Sequence, residues 1–436
     1  MDAPLFGLPK ESDWVMYAPY TDKTLIRNFL AYTMLNNLGH WAAHCRYVEV
    51  VLNGQYVGVY LFMEKIKRGS GRVNIAKLKS SDKSGDNVTG GYIFSIDKNA
   101  DAWFSSYSPP NSAGSSIHFS YVYPKAEDIT TQQAAYIKND VDDFENALAG
   151  ANFQDTAKGF RKYADENSFI DYFIVNEISR NVDGYRLSSY FHKDRNSVNS
   201  KIFAGPVWDY DIAFRNANYC NGSDSTGWAY QFNSVCSDTY EIPFWWNRFM
   251  QDSLFKAHLY CRWIEVRSTV LSNENINHWI DSIYNVVGEA EKRHFAKWPV
   301  LGQYIWPNAA PIPSTYAEEI STLKSWLAAR LSWLDRNIEK TGPCATMPSL
   351  CNGSFEIKVW PNPINNPQNL NIISAKDQTI QMVIVSIAGQ RVLQSSLAIL
   401  AGSNTVQIST ARWAKGVYII SALSNDGTKK TVTIEK

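Results

Sequence analysis

Two neighbouring stretches decide the fold of this chain: SFIDYFIVNEISRNVDGYRLSSYFHKD (residues 168–194) and KIFAGPVWDYDIAF (residues 201–214). The first stretch opens with apolar residues at helical spacing, which predicts a helix from Ser168 to Arg180. That helix carries Asn176 near its end, and the polar loop behind it presents an acid at Asp183. The second stretch is a short β-type run that ends in two more acids.

These three acids, Asp183, Asp209 and Asp211, are the chemical centre of the sequence. Asp209 and Asp211 are separated by one residue and are expected to share a face of an extended segment. Three carboxylates are costly to bury together unless a cation neutralises them. Mg²⁺ takes one or two carboxylates together with phosphate oxygens, and the remaining acid can then orient or deprotonate a hydroxyl. The pattern therefore favours metal-dependent phosphoryl transfer.

Other catalytic motifs are missing from the sequence. It contains no GxSxG elbow, no HExxH helix and no GxxxxGK[ST] phosphate loop. His40 and His44 are four residues apart and are expected to share a helix face. No Glu follows His40, so we interpret the two histidines as packing or capping residues and not as zinc ligands.

The composition is that of a packed protein with two or three domains. The chain has 436 residues, of which 45% are hydrophobic and 19% charged, and this excludes a disordered chain. Its 42 basic and 42 acidic residues balance, so charge gives no attraction to nucleic acid or anionic lipid. No apolar run approaches the ~20 residues of a transmembrane segment. Aromatic residues make up 14%, which fits a wet cleft or carbohydrate contact, but core packing is the better explanation.

The cysteine spacing favours disulfides over a metal or redox site, because no CxxC pair is present. Cys220 and Cys236 bracket a polar loop, and Cys344 and Cys351 bracket a linker that contains proline. Such positions are typical of disulfides in extracytoplasmic proteins. Buried free thiols in a cytosolic protein are the alternative.

Secondary-structure patterns predict an α+β fold whose first third is rich in strands. Residues 47–66, YVEVVLNGQYVGVYLFMEKI, read as a β-hairpin that turns at Asn53-Gly54. Further strands are predicted over residues 90–97 and just before Pro124. Helices are predicted within residues 22–39, 130–148 and 168–180 and from Thr315, where Thr315 and Glu318 form a capping box. A sheet-rich part followed by a helix-rich part is the layout of a protein kinase, but many α+β proteins share it.

The composition changes after Glu339, where Gly, Pro and Ser predict a linker over residues 341–356. Residues 357–436 consist of short β-type runs separated by glycine turns. Runs at this spacing predict a small all-β, Ig-like antiparallel sandwich.

This tail resembles the type A sorting domain of the type IX secretion system of Bacteroidetes-type bacteria. The matching residues are Pro361-Asn362-Pro363, the Gly389 turn, Gly416-Val417-Tyr418 and a closing basic strand that ends at Lys436. The resemblance implies contact with the type IX machinery and a secreted or cell-surface, outer membrane-associated location. An N-terminal signal peptide is then required; none is visible in MDAPLFGLPKESDW, so we expect the chain to start inside its gene product. An unrelated Ig-like accessory domain is the alternative.

Residues 1–340 resemble the CotH kinase family, named after spore coat protein H. Successive blocks carry the resemblance: GLPKESDWVMYAPYTDKTLIRNFLAY, VLNGQYVGVYLFMEK, GGYIFSID, VNEISRNVDGY and GPVWDYDIAF, with PFWWNRFMQD following them. The resemblance implies an atypical, two-lobed kinase-like fold, ATP with Mg²⁺ or Mn²⁺, and transfer of the γ-phosphate to Ser or Thr of secreted proteins.

The family's functional positions carry over to named residues of this chain. Asp183 matches the catalytic acid. Asp209 and Asp211 match the metal-binding block, without an indication of which one holds the metal. Glu64 stands at a family acidic position, and Arg27 is either a phosphate contact or a structural salt-bridge partner. The remaining candidates for nucleotide contact are Asn176, Lys65, Lys67 and Lys125, with Lys125 the preferred phosphate lysine.

Some features depart from a protein kinase and leave a second interpretation open. Ser188 stands where a kinase catalytic loop has its metal-binding Asn, and no GxGxxG loop is present. The chain could therefore be an inactive surface module for adhesion, glycan binding or scaffolding. Aromatic residues that follow the metal block motivate this alternative: Trp228, Tyr230, Phe244, Trp245 and Trp246. Their simpler explanation is packing in the core and in loops.

Overall fold

The computed structural model of the protein describes residues 3–98, 101–110, 116–236, 239–341, 344, 355–359, 364, 366, 368–374, 377–387, 389–400, 402–425 and 427–436. The chain divides into two compact units, residues 1–342 and residues 343–436. Of the helices in the described ranges, none has both the length and the apolar character needed to cross a bilayer.

The first unit is α+β, as predicted. Its strands form two antiparallel sheets, in the orders β1-β3-β2 and β5-β6-β4-β7-β8. The strands are β1 Trp14–Tyr17, β2 Cys45–Leu52, β3 Gln55–Glu64, β4 Tyr92–Ile96, β5 Trp103–Phe104, β6 His118–Tyr123, β7 Ser189–Lys193 and β8 Ile202–Ala204. The helices are α1 Arg27–Asn37, α2 Thr131–Ala149, α3 Glu166–Ser179, α4 Trp245–Phe249, α5 Ser253–Arg267, α6 Asn273–Lys297 and α7 Tyr316–Asn337.

The predicted hairpin is confirmed as β2 and β3, which pair antiparallel. Asn53 and Gly54 connect the strands with φ values of 50° and 76°. Two successive residues with positive φ match the twist of the flanking strands, and Asn-Gly adopts that conformation at little cost.

The predicted helices are confirmed together with their end signals. Glu318 N–H donates to Thr315 Oγ1 at 3.2 Å, which is half of the capping box that starts α7. Gly39, just past the end of α1, has a φ of 98°, which only glycine adopts easily. These local signals could be read from sequence because they depend on a few neighbouring residues.

The five-stranded sheet takes strands from both parts of the sequence. β4 to β6 precede α2 and α3, whereas β7 and β8 follow them and pair onto β4. The division into a sheet-rich and a helix-rich part of the sequence is therefore not a division between sheets. Aromatic rings fill the space behind this sheet: Phe94 stacks on Phe191 at 5.4 Å and Trp103 on Phe119 at 4.8 Å. Core packing thus accounts for much of the aromatic content.

Helix α3 lies at the centre of the first unit, and every residue from Ser168 to Ser179 is buried. Near its end, Glu177 forms a buried ion pair with Arg330 of α7, with 3.0 Å between Oε2 and Nη2. The Glu177 carboxylate also accepts the backbone N–H groups of Ala229 and Tyr230 at 2.8 and 2.9 Å. These bonds satisfy a charge that burial would otherwise make unfavourable.

The second unit is all β, as predicted. Its strands form antiparallel sheets in the orders β13-β10-β9 and β12-β11-β14-β15. Residues of both sheets contribute to one hydrophobic cluster, which includes Leu370, Met382 and Ile420. Pro361-Asn362-Pro363 and most of the predicted linker lie outside the described residues. The strands are β9 Phe355–Val359, β10 Gln368–Ser374, β11 Gln378–Ser386, β12 Arg391–Ile399, β13 Gly402–Ile408, β14 Val417–Ser424 and β15 Lys429–Glu435.

The cysteines confirm one of the two predicted bridges. Cys220 and Cys236 form a disulfide that closes a loop with a sequence separation of 16. Cys261 and Cys344 each take part in a disulfide as well. The predicted pair Cys344–Cys351 includes Cys351, which lies outside the described residues. Cys45 is a free, buried thiol. The alternative in which all cysteines are free is excluded by the disulfide-bonded ones.

Candidate functional site

Helix α1 positions the segment that carries Asp209 and Asp211. The backbone N–H of Asp209 donates to Tyr32 Oη at 3.2 Å, and that of Tyr210 donates to Asn28 Oδ1 at 2.5 Å. Asn28 and Tyr32 are four residues apart and therefore lie on one face of the helix. Asp209 has a φ of 63°, so the segment is not the regular extended chain that the sequence predicted.

The carboxyl groups of Asp209 and Asp211 nevertheless meet. Burial is the main cause of the raised pKa of Asp209. The charges of Asp211 and Asp183 and a hydrogen bond to the Asp211 carboxyl raise it further. Burial also raises the pKa of Asp211, although hydrogen bonds from Tyr17 and Thr21 lower it in part. Asp209 remains exposed to solvent. The pair is therefore surrounded by protein atoms but still reached by water. The water screens part of the repulsion between the two carboxylates.

Strand β1 and the loop behind it surround Asp211. Tyr17 Oη and Thr21 Oγ1 donate to Asp211 Oδ2 at 3.0 and 3.4 Å. Asn216 Nδ2 donates to the Asp211 carbonyl oxygen at 2.8 Å. Burial and the nearby Asp211 charge raise the pKa of Tyr17, so its hydroxyl remains a donor. These contacts fix Oδ2 of Asp211, and the carboxylate also accepts a backbone hydrogen bond from Ile212.

Asp183 lies in the loop that follows α3, and a single amide connects it to Asp209. Asn181 Oδ1 accepts the N–H of Asp183 at 3.2 Å, and Asn181 Nδ2 reaches the Asp209 carbonyl oxygen at 3.5 Å. Arg186 Nη2 lies 3.4 Å from Asp183 Oδ1. The Asp183 side chain is 24% exposed. The structure therefore brings the three acids of the sequence prediction into one region, with Asp183 accessible from solvent.

Asp97 is a fourth acid of this region that the sequence reasoning did not assign. It follows directly after β4, and its charge contributes to the raised pKa values of Asp209 and Tyr190. The only sequence signal was its place at the end of the strand GGYIFSID. That signal is weak, because strand ends carry acids for many reasons.

Asn176, predicted as a nucleotide contact, lies inside the core. Its Oδ1 accepts a hydrogen bond from Tyr210 Oη at 2.9 Å, and its Nδ2 donates to the Tyr172 carbonyl at 3.0 Å. The residue is fully buried. In this position Asn176 holds the tyrosine between the two site acids.

Arg27 and Glu64 both lie in buried polar networks. Arg27 forms an ion pair with Asp22, and its Nε donates to the Ala213 carbonyl at 3.1 Å. Glu64 Oε2 accepts from His44 Nδ1 at 2.7 Å. Glu64 Oε1 is buried and has no hydrogen-bond partner among the described residues.

The three candidate lysines lie on the surface or in ion pairs. Lys67 Nζ contacts Glu11 at 3.0 Å and Asp13 at 2.5 Å. Lys125 contacts Glu127 at 3.4 Å, and its side chain is 67% exposed. Lys65 is exposed. Which lysine contacts phosphate stays a prediction.

The donor set of the site fits a hard divalent cation of the Mg²⁺ type. In the part of the chain that the structure describes, no group of three or more His, Cys, Asp and Glu side chains is arranged to hold a metal. Mg²⁺ needs only one or two carboxylates when phosphate supplies further oxygens. Within the same ranges, Asp209 and Asp211 form no ion pair with a basic side chain. When ionised, the pair therefore has no basic side chain to balance its negative charge, and such a cation would balance it.

The aromatic residues considered for glycan contact are divided between core and surface. Trp245 and Trp246 are 1% and 0% exposed and pack against Phe144 and Tyr185. Phe244, in contrast, is half-buried and lines a cavity. None of the three site acids lines that cavity.

Two family models match the chain. Residues 1–334 match the CotH kinase protein family, and residues 358–435 match a secretion system C-terminal sorting domain. Both resemblances inferred from the sequence are therefore confirmed. A search of curated proteins gave no match.

Proposed function

Because the chain belongs to the CotH kinase protein family, we propose that it is an atypical protein kinase that transfers the ATP γ-phosphate to Ser or Thr hydroxyls. The observation that carries the proposal is the Asp209–Asp211 carboxyl pair. Two interacting carboxyl groups with raised pKa values are relieved either by a shared proton or by a bound cation, and Mg²⁺ or Mn²⁺ with ATP supplies such a cation.

Asp183 has the features that the catalytic acid needs. It is accessible, it is held near Asp209 through Asn181, and Arg186 fixes one of its oxygens. In this role it orients the acceptor hydroxyl and takes its proton while the new oxygen–phosphorus bond forms and the bond to ADP breaks. The bound divalent ion supplies charge stabilisation at the phosphate oxygens. Asp209 and Asp211 are the residues that would hold it.

The second unit supports an extracytoplasmic location. A C-terminal sorting domain implies secretion to the cell surface through the type IX machinery. We extend this to an outer membrane-associated enzyme that modifies secreted or surface proteins, with a kinase-like two-lobed fold in residues 1–340.

An inactive kinase-like scaffold is the second candidate function. Lys67 and Lys125, which were the candidates for phosphate contact, form ion pairs with acids other than those of the site. This favours a chain without nucleotide binding, since kinases use a lysine at the phosphates.

One experiment separates the two functions. The full chain is incubated with ATP labelled at the γ-phosphate, with Mg²⁺ or Mn²⁺ and a mixed acceptor such as casein, and calorimetry measures nucleotide binding. A kinase shows metal-dependent binding and transfer to Ser or Thr. Absence of any heat or thermal stabilisation at millimolar ATP and metal contradicts the kinase proposal and leaves the scaffold.

A further inference from the structure

A cavity of about 600 Å³ lies beside the loop that the Cys220–Cys236 disulfide closes. Its wall is formed by Gln231, Asn233 and Ser234 of that loop and by residues in and around α4. The volume is within the range of small-ligand sites, about 300–1,000 Å³. Exposed residues such as Gln231 and Ser234 line it, so a ligand can enter from solvent.

The lining is polar without being acidic. Four carboxamides line the cavity, and a carboxamide offers both donors and an acceptor. One hydroxyl, one guanidinium, one aromatic ring and the ring of Pro110 complete the set, and no carboxylate is present among the described lining residues. The carboxamides belong to Gln231, Asn233, Asn247 and Gln251, the hydroxyl to Ser234, the guanidinium to Arg248 and the ring to Phe244.

The cavity is rigid on the side of the disulfide loop. Asn233 forms two hydrogen bonds with the backbone of Ile242: Oδ1 accepts the N–H at 2.8 Å and Nδ2 donates to the carbonyl at 2.9 Å. Phe244 packs on Tyr107 at 4.9 Å, and Tyr107 Oη donates to Asn146 at 2.7 Å. Side chains held in this way lose little entropy when a ligand binds.

Arg248 is largely occupied by neutral partners. Its guanidinium donates to the carbonyl oxygens of Leu148 and Gly150 at 3.1 and 3.2 Å and to Gln251 Oε1 at 2.7 Å. It also lies over the Phe153 ring at 3.6 Å. Few of its five N–H groups remain for a ligand. A strongly anionic ligand would therefore find little charge-assisted bonding here.

The Asn247 carboxamide, in contrast, has no hydrogen-bond partner among the described residues. A carboxamide of this kind can bond two neighbouring hydroxyl groups at once, one through its oxygen and one through its nitrogen. The half-buried Phe244 ring offers an apolar face of the size of a sugar ring. Hydroxyl groups with an apolar ring face are the chemistry of a saccharide.

From this combination we propose that the cavity binds a short, neutral oligosaccharide, whose hydroxyls bond the carboxamides and whose ring packs on Phe244. This site is separate from the three acids and does not depend on the proposed kinase activity. It gives the chain a glycan-binding function that operates with or without phosphoryl transfer.

The test is calorimetric titration of the full chain with trisaccharides of N-acetylglucosamine, glucose, mannose and galactose at up to millimolar concentration. At least one probe should bind, and Phe244→Ala and Asn247→Ala should each weaken it about tenfold, as expected for the loss of one or two contacts. Trp306→Ala is the matched control. Trp306 is 64% exposed and does not line the cavity, so its loss should leave the affinity unchanged.

Asn247→Ala also guards against misfolding, because the side chain has no bond to lose within the described protein. Binding of none of the four sugars by the wild type overturns the proposal. So does binding that Trp306→Ala abolishes while Phe244→Ala and Asn247→Ala do not, since the sugar then binds elsewhere. Binding of a polyglutamate peptide that Asn247→Ala weakens, without any sugar binding, shows instead a peptide site.

Discussion

Tyr210 Oη donates a hydrogen bond to Asn176 Oδ1 at 2.9 Å, and this bond joins the last turn of α3 to the residue between Asp209 and Asp211. Both partners are fully buried. The position of the two site acids therefore depends on an amide in the core. Neighbouring backbone bonds to Asn28 and Tyr32 hold the same segment from the side of α1.

A double-mutant cycle on this pair should show coupling. Tyr210→Phe leaves Asn176 Oδ1 unpaired and should lower the free energy of unfolding by about 1 kcal/mol, and Asn176→Ala should cost more because a cavity forms as well. The coupling energy from urea unfolding should be about 1 kcal/mol. Tyr136→Phe, at an exposed and longer hydrogen bond of 3.4 Å, is the control and should change stability little. Purely additive effects contradict the link.

Site variants should separate catalysis from metal binding. Asp183→Asn should reduce phosphotransfer by several orders of magnitude while metal-dependent ATP affinity is largely retained, because only the transition state loses its partner. Asp211→Asn should weaken metal-dependent ATP binding and turnover together. Labelled ATP and calorimetry report the two quantities, and the exposed Asp128→Asn serves as control. If both site variants lower only the melting temperature and the wild type binds no ATP, the acids are structural.

Glu145 should make the first unit less stable as the pH rises. Burial raises its pKa from 4.5 to about 7, although Ser105 and Trp245 donate hydrogen bonds to it. The folded protein therefore keeps a proton that the unfolded chain releases, and the free energy of unfolding falls between these pH values. Glu145→Gln should remove this fall and stabilise the protein near neutral pH by up to about 3 kcal/mol. Urea unfolding from acid to neutral pH measures the free energy of unfolding of both proteins. If its pH dependence is the same in Glu145→Gln as in the wild type, the assignment is wrong.

The Cys220–Cys236 disulfide should contribute measurably to stability. In the chain-entropy description, a loop of this length is worth about 3 kcal/mol, because the bridge restricts the unfolded chain. Removing both cysteines as Cys220→Ser with Cys236→Ser should lower the melting temperature and loosen the adjacent cavity wall. Non-reduced peptide mapping should show the linked pair in the wild type. Cys45→Ala, at a free thiol, controls for the loss of a buried sulfur.

The first unit should fold without the second. Its strands and helices close their own sheets and core, and the chain divides at about residue 342. Deleting residues 354–436 should leave the melting temperature of the first unit nearly unchanged in scanning calorimetry. Loss of a cooperative transition in the shortened chain would show that the boundary is elsewhere.

Local patterns in the sequence were sufficient to predict the helices and strands whose ends carry strong signals. The Asn53-Gly54 turn and the Thr315 capping box are encoded within a few residues, and the structure confirms both. The grouping of Asp183, Asp209 and Asp211 was also accessible, because their spacing and the family blocks identified them.

The surroundings of these acids were not accessible from sequence, because long-range contacts create them. Asn176 stands in a family block, yet its partner is a tyrosine 34 residues away, and sequence cannot distinguish a buried amide from one that faces a ligand. Asp97 follows β4, whose pairing with β6 and β7 in the five-stranded sheet positions it near Asp209. The lysines had no distinguishing pattern, since exposed acids that pair with them can lie anywhere in the chain.

The buried Glu177–Arg330 pair sets the order in which the first unit can be completed. Its partners are 153 residues apart in the chain, so the carboxylate in α3 stays without its counter-ion until α7 arrives. An incomplete chain that ends before Arg330 would retain an unpaired buried charge, at a cost of about 3–5 kcal/mol. Because contacts between distant residues form slowly, we expect the first unit to complete its fold only after Arg330 has been synthesised.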